Sequence, residues 1–358
     1  MTRLRTLQGA LTDGQALFVS APISILYLTG IFIQPRERFY GLLLTRRTAV
    51  LFVPELEAAA AGGFSGQVIA VADDEDLEAA LARHRPEGTL AVEKRHLTVA
   101  RLDLLEAAWQ AHEVADLSSR LEAMRLIKDE SELSAMRRAC RIIDEVVAWA
   151  FSQLQPGLSE RQLAGLIDQR LERHYGAQAA FPSLVQFGAD SALPHGEAGA
   201  RKLASGDAVL LDIGARVEGY PSDITRTAFY GAASEQMRRI YQLVLEAHLA
   251  AAAVLRPGAV ARDVDRAARD VITAAGFGDK FTHRVGHGLG LEVHEPPSMH
   301  GKDSTVLAPG MVVTIEPGIY LPGVGGVRIE DDYLVTAEGA ERMTTADRQL
   351  KELEMGLA

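Results

Sequence analysis

Short apolar runs of strand length punctuate the first 120 residues. Ala16–Ser20, Ile25–Leu28, Phe39–Leu44, Thr48–Val53, Val68–Val71 and Leu90–Val92 are such runs, and a Thr45–Arg46–Arg47 turn joins the third to the fourth. Asp74–Arg83 and Val99–Ala111 instead repeat apolar residues at helical spacing. Strands interleaved with helices predict an α/β domain over residues 1–120. No Pro/Gly-rich linker follows; the pattern changes through Leu117–Glu132, and a helix is predicted from Glu130 to Phe151. After the Pro156–Gly157 turn, Ser159 and Gln162 form a capping-box pair for a second helix. The stretch Leu154–Leu171 is echoed by Leu255–Ile272, each a Pro-Gly turn followed by an amphipathic helix. Residues 121–358 read as one further domain carrying a faint internal repeat.

Two hairpin patterns within that domain carry acids where apolar strands end. Leu211–Thr227 follows the apolar run Ala208–Leu211, turns near Arg216–Gly219 and returns through Ile224 and Thr227, with Pro221 in the return strand. Folded between Val217 and Glu218, it sets Asp212 opposite Asp223. Like charges directly opposed on paired strands are destabilising, so that arrangement calls for a cation between them; two solvated turn aspartates are the competing reading. Met311–Val335 reads as a second hairpin folded about Gly323, which sets Glu316 opposite Glu330, each next to inward apolar residues. Between the hairpins, Val285–Glu295 carries His287 and His294, with Gly286, Gly288 and Gly290 around the first. Glycines in that pattern without a long helix behind them do not make a dinucleotide loop, and backbone room beside a metal explains them better. Four inward carboxylates with one or two imidazoles suit a pair of divalent ions, Mn²⁺ first, with Co²⁺ or Zn²⁺ as alternatives. Two such ions activate a bridging water and polarise a carbonyl, which is hydrolytic chemistry.

Composition narrows the partners. The chain has 358 residues and a formal net charge of −11 without a basic cluster, so nucleic acid and anionic membrane surfaces are excluded as partners. Its single cysteine, Cys140, rules out an internal disulfide and sits in a helical pattern as a core residue. The longest apolar run, Leu249–Leu255, is too short for a bilayer, and no secretory signal pattern opens the chain, which gives a cytoplasmic expectation. His84, His96, His112, His174, His248 and His300 read as surface or satisfied core histidines.

The series His195, Asp212, Asp223, His287, His294, Glu316 and Glu330 resembles the pita-bread metallopeptidases, most of all the proline-specific branch of Xaa-Pro dipeptidase (prolidase) and aminopeptidase P. The matching stretches are Phe181–Gly196, the first hairpin, His283–Pro297, Thr314–Tyr320 and Gly326–Asp331. Ser24–Ile31 is similar to the family's NxxYLTGF segment, with Ser24 where asparagine is usual, and MRLIKDESEL to its inter-domain segment. The resemblance implies an α/β (α+β) fold: a small N-terminal α/β domain of creatinase/prolidase type plus a C-terminal pita-bread catalytic domain of two related halves. It implies Asp212, Asp223, His287, Glu316 and Glu330 as ligands of two divalent metals, Mn²⁺ foremost. His195, His294 and Glu316 would be catalytic. His283, Tyr320, Arg328 and Phe181 would contact substrate, Arg328 by orienting it or by steadying a ligand carboxylate. The implied reaction is hydrolysis of an Xaa-Pro bond by a metal-activated bridging hydroxide, in a homodimer.

Dipeptidase and aminopeptidase P share all these residues. A dipeptidase must also read the carboxylate of a C-terminal proline, best done by arginine; Arg36 and Arg46 are the N-terminal candidates, with Arg38 and Arg47 beside them. The short chain favours the dipeptidase. Metal-free or non-enzymatic pita-bread modules form a third class, but they lose ligands that this chain keeps.

Overall fold

A computed structural model describes residues 3–111 and 113–353, so His112 lies outside the described residues. The chain divides into two compact units, Met1–Arg125 and Leu126–Ala358.

The first unit is built on a six-stranded mixed sheet. Its strands are β1 (Gln15–Val19), β2 (Gly41–Thr45), β3 (Ala49–Pro54), β4 (Gln67–Val71), β5 (Thr89–Val92) and β6 (Val114–Asp116), in the order β4-β3-β2-β1-β5-β6. Phe18, Phe39, Phe52 and Trp109 fill the core on one face, with the Phe18 and Trp109 rings edge to face at 5.4 Å. One expectation is corrected. The run Ile25–Leu28, read as a strand, lies in the helix Pro22–Thr29. A buried apolar run carries no period that separates strand from helix, and here the ends decide. Pro22 stands in the first turn, Gly30 closes the helix at φ 76°, and the buried Glu93 carboxylate accepts the N–H groups of Ser20 and Ala21 and the Ser24 hydroxyl. Ser24 thus ties helix to sheet.

The second unit repeats one plan twice. Helices Glu130–Ser152 and Glu160–Tyr175 close one apolar core, and helices Glu235–Val254 and Ala261–Ala274 close another. The Ser159–Gln162 capping box is present. Each Pro-Gly turn is clamped in the same way: Leu203 N–H donates to Leu158 O and Glu160 N–H to Arg201 O, while Leu307 N–H donates to Ala259 O and Ala261 N–H to Thr305 O. The echo in the sequence is thus a structural repeat. Cys140 is fully buried.

The strands of this unit are β7 (Gln178–Ala179), β8 (Leu184–Phe187), β9 (Ala208–Ile213), β10 (Ala215–Val217), β11 (Tyr220–Pro221), β12 (Ile224–Tyr230), β13 (Val312–Ile315), β14 (Gly318–Leu321), β15 (Gly325–Arg328), β16 (Asp331–Val335), β17 (Ala340–Arg342) and β18 (Glu352–Leu353). They form small sheets in the orders β18-β12-β9-β8, β11-β10-β7, β13-β16-β17 and β14-β15. The chain is therefore a mixed α/β protein of two units, the second built from two related halves.

Candidate metal centre

All four hairpin acids sit where a ladder stops. In the first hairpin the turn is Glu218–Gly219, both left-handed (φ 50° and 88°), as a two-residue hairpin turn requires. This moves the fold point one residue beyond the expected midpoint, so Asp212 pairs with Thr225 and not with Asp223. The expected direct opposition is corrected, yet the carboxylates still converge. Asp223 lies two residues before Thr225, on the same face of the pleat, and is the diagonal neighbour of Asp212. The second hairpin folds about Gly323: Gly318 pairs with Arg328 and Ile315 with Asp331, in one register on either side of a gap. Glu316 and Glu330 face each other in that gap.

His287 is brought in by the segment between the hairpins. Its N–H donates to Thr314 Oγ1, Thr314 N–H donates to His287 O, and Glu316 N–H donates to Val285 O. The flanking glycines serve this backbone approach rather than leaving room for a metal. A Cβ on Gly286 would lie 2.0 Å from Thr314 O, and one on Gly288 2.0 Å from Pro296 O. Gly288→Ala is expected to cost about 1–3 kcal/mol, the range for overpacking a filled site. Urea unfolding followed by circular dichroism checks this, and an unchanged midpoint contradicts it.

Ligand atoms of Asp223, His287 and Glu330 all lie within 4.8 Å of one another. His287 Nε2 is 3.5 Å from Glu316 Oε1 and 3.7 Å from Asp223 Oδ2. Its Nδ1–H donates to Gly288 O, which leaves the Nε2 lone pair facing the acids. Burial first, and then mutual repulsion, pushes Asp223 and Glu330 well above the usual carboxylate range, and burial takes Glu316 to about 7. Burial and the nearby His294 lower His287 to about 3, so its imidazole is neutral. Among the described residues, the buried oxygens Asp212 Oδ1 and Asp223 Oδ1 have no hydrogen-bond partner. A neutral imidazole, crowded acids and orphaned oxygens fit a divalent-cation site.

The acids open onto a cavity of about 950 Å³, lined by residues of the second unit alone. His195 and His294 are exposed on its wall, and the His294 ring stands edge-on to His287 with centroids 4.3 Å apart. Phe181 is half-buried on the wall. Arg328 is 2 % exposed and committed to neighbours: Nη2–H donates to Asp212 Oδ2 at 2.6 Å, Nε–H to Thr225 Oγ1 and Nη1–H to the Tyr320 oxygen. Its guanidinium holds the Asp212 carboxylate. Burial, then Arg328, lowers His283 to about 3. The neutral ring gives Nδ1–H to Arg284 O and accepts the Tyr320 hydroxyl at Nε2, so both nitrogens are used. Tyr320 is 4 % exposed and not among the residues lining the cavity. Its ring packs on Gly326 and its hydroxyl links His283 to Arg328.

Arg36 and Arg46 belong to the first unit. Both are exposed, Arg36 at φ 56° and Arg46 3.5 Å from Asp13.

Three residues at the site have roles that the sequence pattern did not reveal. Thr225 Oγ1–H donates to Glu330 Oε2 at 2.6 Å and fixes that carboxylate. The buried Asp332 accepts the Asp223 N–H and the Cys140 thiol. Arg284 stands on the cavity wall beside His283. Only Thr225 left a signal, its two-residue offset from Asp223.

Comparison with known proteins gives two family matches. Residues 134–337 match metallopeptidase family M24, and residues 3–127 match the creatinase/prolidase N-terminal domain. An uncharacterized peptidase of Staphylococcus aureus (strain MSSA476) is 38% identical, over 96% of this chain and 99% of that protein. The crystal structure of the prolidase from Pyrococcus horikoshii OT3 is similar with a TM-score of 0.89 and 34% identity, covering 97% of this chain and 98% of that one. The X-Pro aminopeptidase from Thermotoga maritima MSB8 is similar with a TM-score of 0.86 and 29% identity, covering 98% and 100%.

Proposed function

This chain belongs to metallopeptidase family M24, and on that premise we propose that it hydrolyses the bond between an N-terminal residue and a following proline, preferentially in dipeptides. The observation that carries the reading is the convergence of Asp212, Asp223, His287, Glu316 and Glu330 on a histidine-walled cavity, with two carboxylate oxygens that have no donor among the described residues. These five residues would hold two divalent ions, Mn²⁺ foremost. When bound, such ions polarise a carbonyl and lower the pKa of water.

The protein's own groups supply the rest. Asp223 and Glu330 are the most deeply buried acids of the set, and with Asp212, His287 and Glu316 they would hold the ions. Arg328 orients the Asp212 carboxylate, and Thr225 orients that of Glu330. Glu316 would take the proton of the attacking water at a carboxylate oxygen. His294 donates to the carbonyl oxygen as charge develops there. His195 lines the same cavity and can deliver a proton to the leaving proline nitrogen. Phe181 offers an apolar wall to the proline ring. Proline lacks an N–H and restricts the bond before it, so an enzyme for this bond grips the ring and not the amide.

The reading extends to a homodimeric, cytoplasmic enzyme, as the family resemblance implies. Among the described residues no helix is long and apolar enough to cross a membrane. The deciding experiment is release of proline from Ala-Pro by the Mn²⁺-loaded protein, beside Ala-Pro-Ala at equal concentration. Fast dipeptide cleavage with the tripeptide spared is the expected result. The opposite ranking makes the protein an aminopeptidase, and cleavage of neither peptide sinks the proline-peptidase reading.

A further inference from the structure

The histidines around the cavity are held in different ways. The His283 ring is fixed at both nitrogens, the His287 ring at Nδ1, and the His294 ring packs edge-on against His287. His195 is exposed, and among the described residues neither of its ring nitrogens has a hydrogen-bond partner. Its place on the cavity wall is therefore set by its backbone. That backbone is a turn in which Gly196 N–H donates to Leu193 O, with Pro194 and His195 at the bend. One side chain spans it: Gln186 Nε2–H donates to Leu193 O at 2.7 Å and to Gly196 O at 3.3 Å. Arg328 Nη1–H donates to the Pro194 carbonyl between them.

Strand alternation brings Gln186 to this turn. Val185 and Phe187 face the apolar core, whereas Leu184 and Gln186 share the other face of β8, on which Leu184 pairs with Asp212 and lines the cavity. Gln186 is 1 % exposed, and its Oε1 has no partner among the described residues. Burying an amide is costly unless its groups are bonded, so a position that needed only volume would favour an apolar side chain. Both partners of Gln186 are carbonyl oxygens, which only the NH₂ end of the amide can bond. A Cβ on Gly196 would lie 2.2 Å from Gln186 Nε2, so the turn carries a glycine where the amide approaches. The root of the loop is tied separately by Glu160, whose carboxylate accepts the N–H groups of Phe187 and Gly199. Loss of the amide thus frees the turn and leaves the loop's root in place.

We propose that Gln186 is the positioning residue of His195, its amide holding the turn so that the otherwise unanchored imidazole meets the substrate in one place. The proposal rests on the Xaa-Pro reading above, in which His195 delivers a proton to the leaving nitrogen. Gln186 acts only through that ring, since it is not among the residues lining the cavity.

The test is a double-mutant cycle on the Mn²⁺-loaded protein with Ala-Pro. His195→Ala is expected to lower kcat about 100-fold, the scale of a lost general acid. Gln186→Met is expected to lower kcat about tenfold and to change KM less than about threefold, because it misplaces a group used in the transition state. The double variant is expected to match His195→Ala within about threefold. Additive losses, an unchanged kcat in Gln186→Met, or a loss that falls on KM overturns the proposal. A second readout is independent of turnover. In Zn²⁺-loaded protein carrying ¹³C-labelled histidine, the ring signal missing from His195→Ala belongs to His195. That signal is expected to shift or broaden in Gln186→Met, and also in Gln186→Glu, which keeps the size but turns a carboxylate toward the two carbonyls. The signals of His287 and His294 are expected to stay. An unmoved His195 signal, or displacement of all three, overturns the proposal. Cleavage of neither peptide by the wild type defeats the Xaa-Pro reading, and the anchoring of His195 is then decided by its ring signal alone.

Discussion

Glu330→Gln is expected to reduce Mn²⁺-supported cleavage of Ala-Pro by about 10³-fold or more while raising the stability of the metal-free protein. The activity loss follows from charge. Polarisation by a bound cation contributes several kcal/mol to such reactions, and each 1.36 kcal/mol is tenfold. An amide in place of this ligand carboxylate would forfeit much of that, although Thr225 still has an oxygen to bond. The stability gain follows from crowding. Burial, then Glu316 and Asp212, drives the Glu330 carboxyl well above its usual range, and Glu316 lies near 7. An acid with a raised folded pKa binds more protons folded than unfolded above the ordinary carboxyl pKa, so stability falls as pH rises through that window. Metal-free wild type should therefore lose stability between about pH 4.5 and 7, and the variant less. Mn²⁺ should raise the Tm of wild type strongly and that of Glu330→Gln weakly, because only ligand bound to the folded state stabilises. Thermal melts with and without chelator decide it. A Tm that ignores chelation in the wild type would contradict the metal reading and favour an inert scaffold.

Arg226→Met is expected to destabilise the second unit by about 3 kcal/mol or more, the cost of removing the nearest cation from a buried carboxylate together with its hydrogen bonds to buried carbonyls. Arg226 is 2 % exposed and spends its guanidinium inside: Nη2–H donates to Asp331 Oδ1 at 2.6 Å and to Ala346 O, Nη1–H to Thr225 O and Glu330 O, and Nε–H to Asp347 O. Burial alone would raise the Asp331 carboxyl, but Arg226, His248 and Arg342 overcome it and hold the group below the ordinary range. That stabilisation is complete above the unfolded carboxyl pKa and is lost only as pH falls through the depressed folded value. At pH 7 the full penalty is expected, equivalent to a fall in Tm of about 6–12 °C for a unit of this size. Below about pH 4 the gap between wild type and variant should narrow. Arg226→Met/Asp331→Asn should recover part of the loss, since it removes the stranded charge. A single-variant loss under 1 kcal/mol, measured by urea unfolding, contradicts the argument.

The same residues explain why Glu330 stands where it does. Thr225, Arg226 and Thr227 follow one another on β12, and all reach the chain around Arg328–Asp331: Thr225 holds a carboxylate, Arg226 a carbonyl and Asp331, and Thr227 Oγ1–H the Arg328 carbonyl. This side-chain seam joins hairpins about a hundred residues apart in sequence, where no ladder does. It was not legible in the chain, because an ITRT run on its own is an ordinary strand.

What the sequence determined by itself is local or arithmetic. The fold class, the long helices with their capping boxes, the internal echo and the Gly323 register follow from periodicity and turn chemistry within a few residues. The acids and histidines that define the centre were visible because their kind and order are those of a metal site. Tertiary structure decided the rest. The run Ile25–Leu28 lies in a helix whose entry is anchored by Glu93, far along the chain. Asp212 faces Thr225 because two adjacent left-handed residues place the turn at Glu218–Gly219, one residue later than symmetry suggested. Tyr320 lies behind the wall, where Arg328 and His283 hold its hydroxyl. Pairing partners and unpaired charges are properties of three-dimensional neighbours, and a period along the chain carries no record of either.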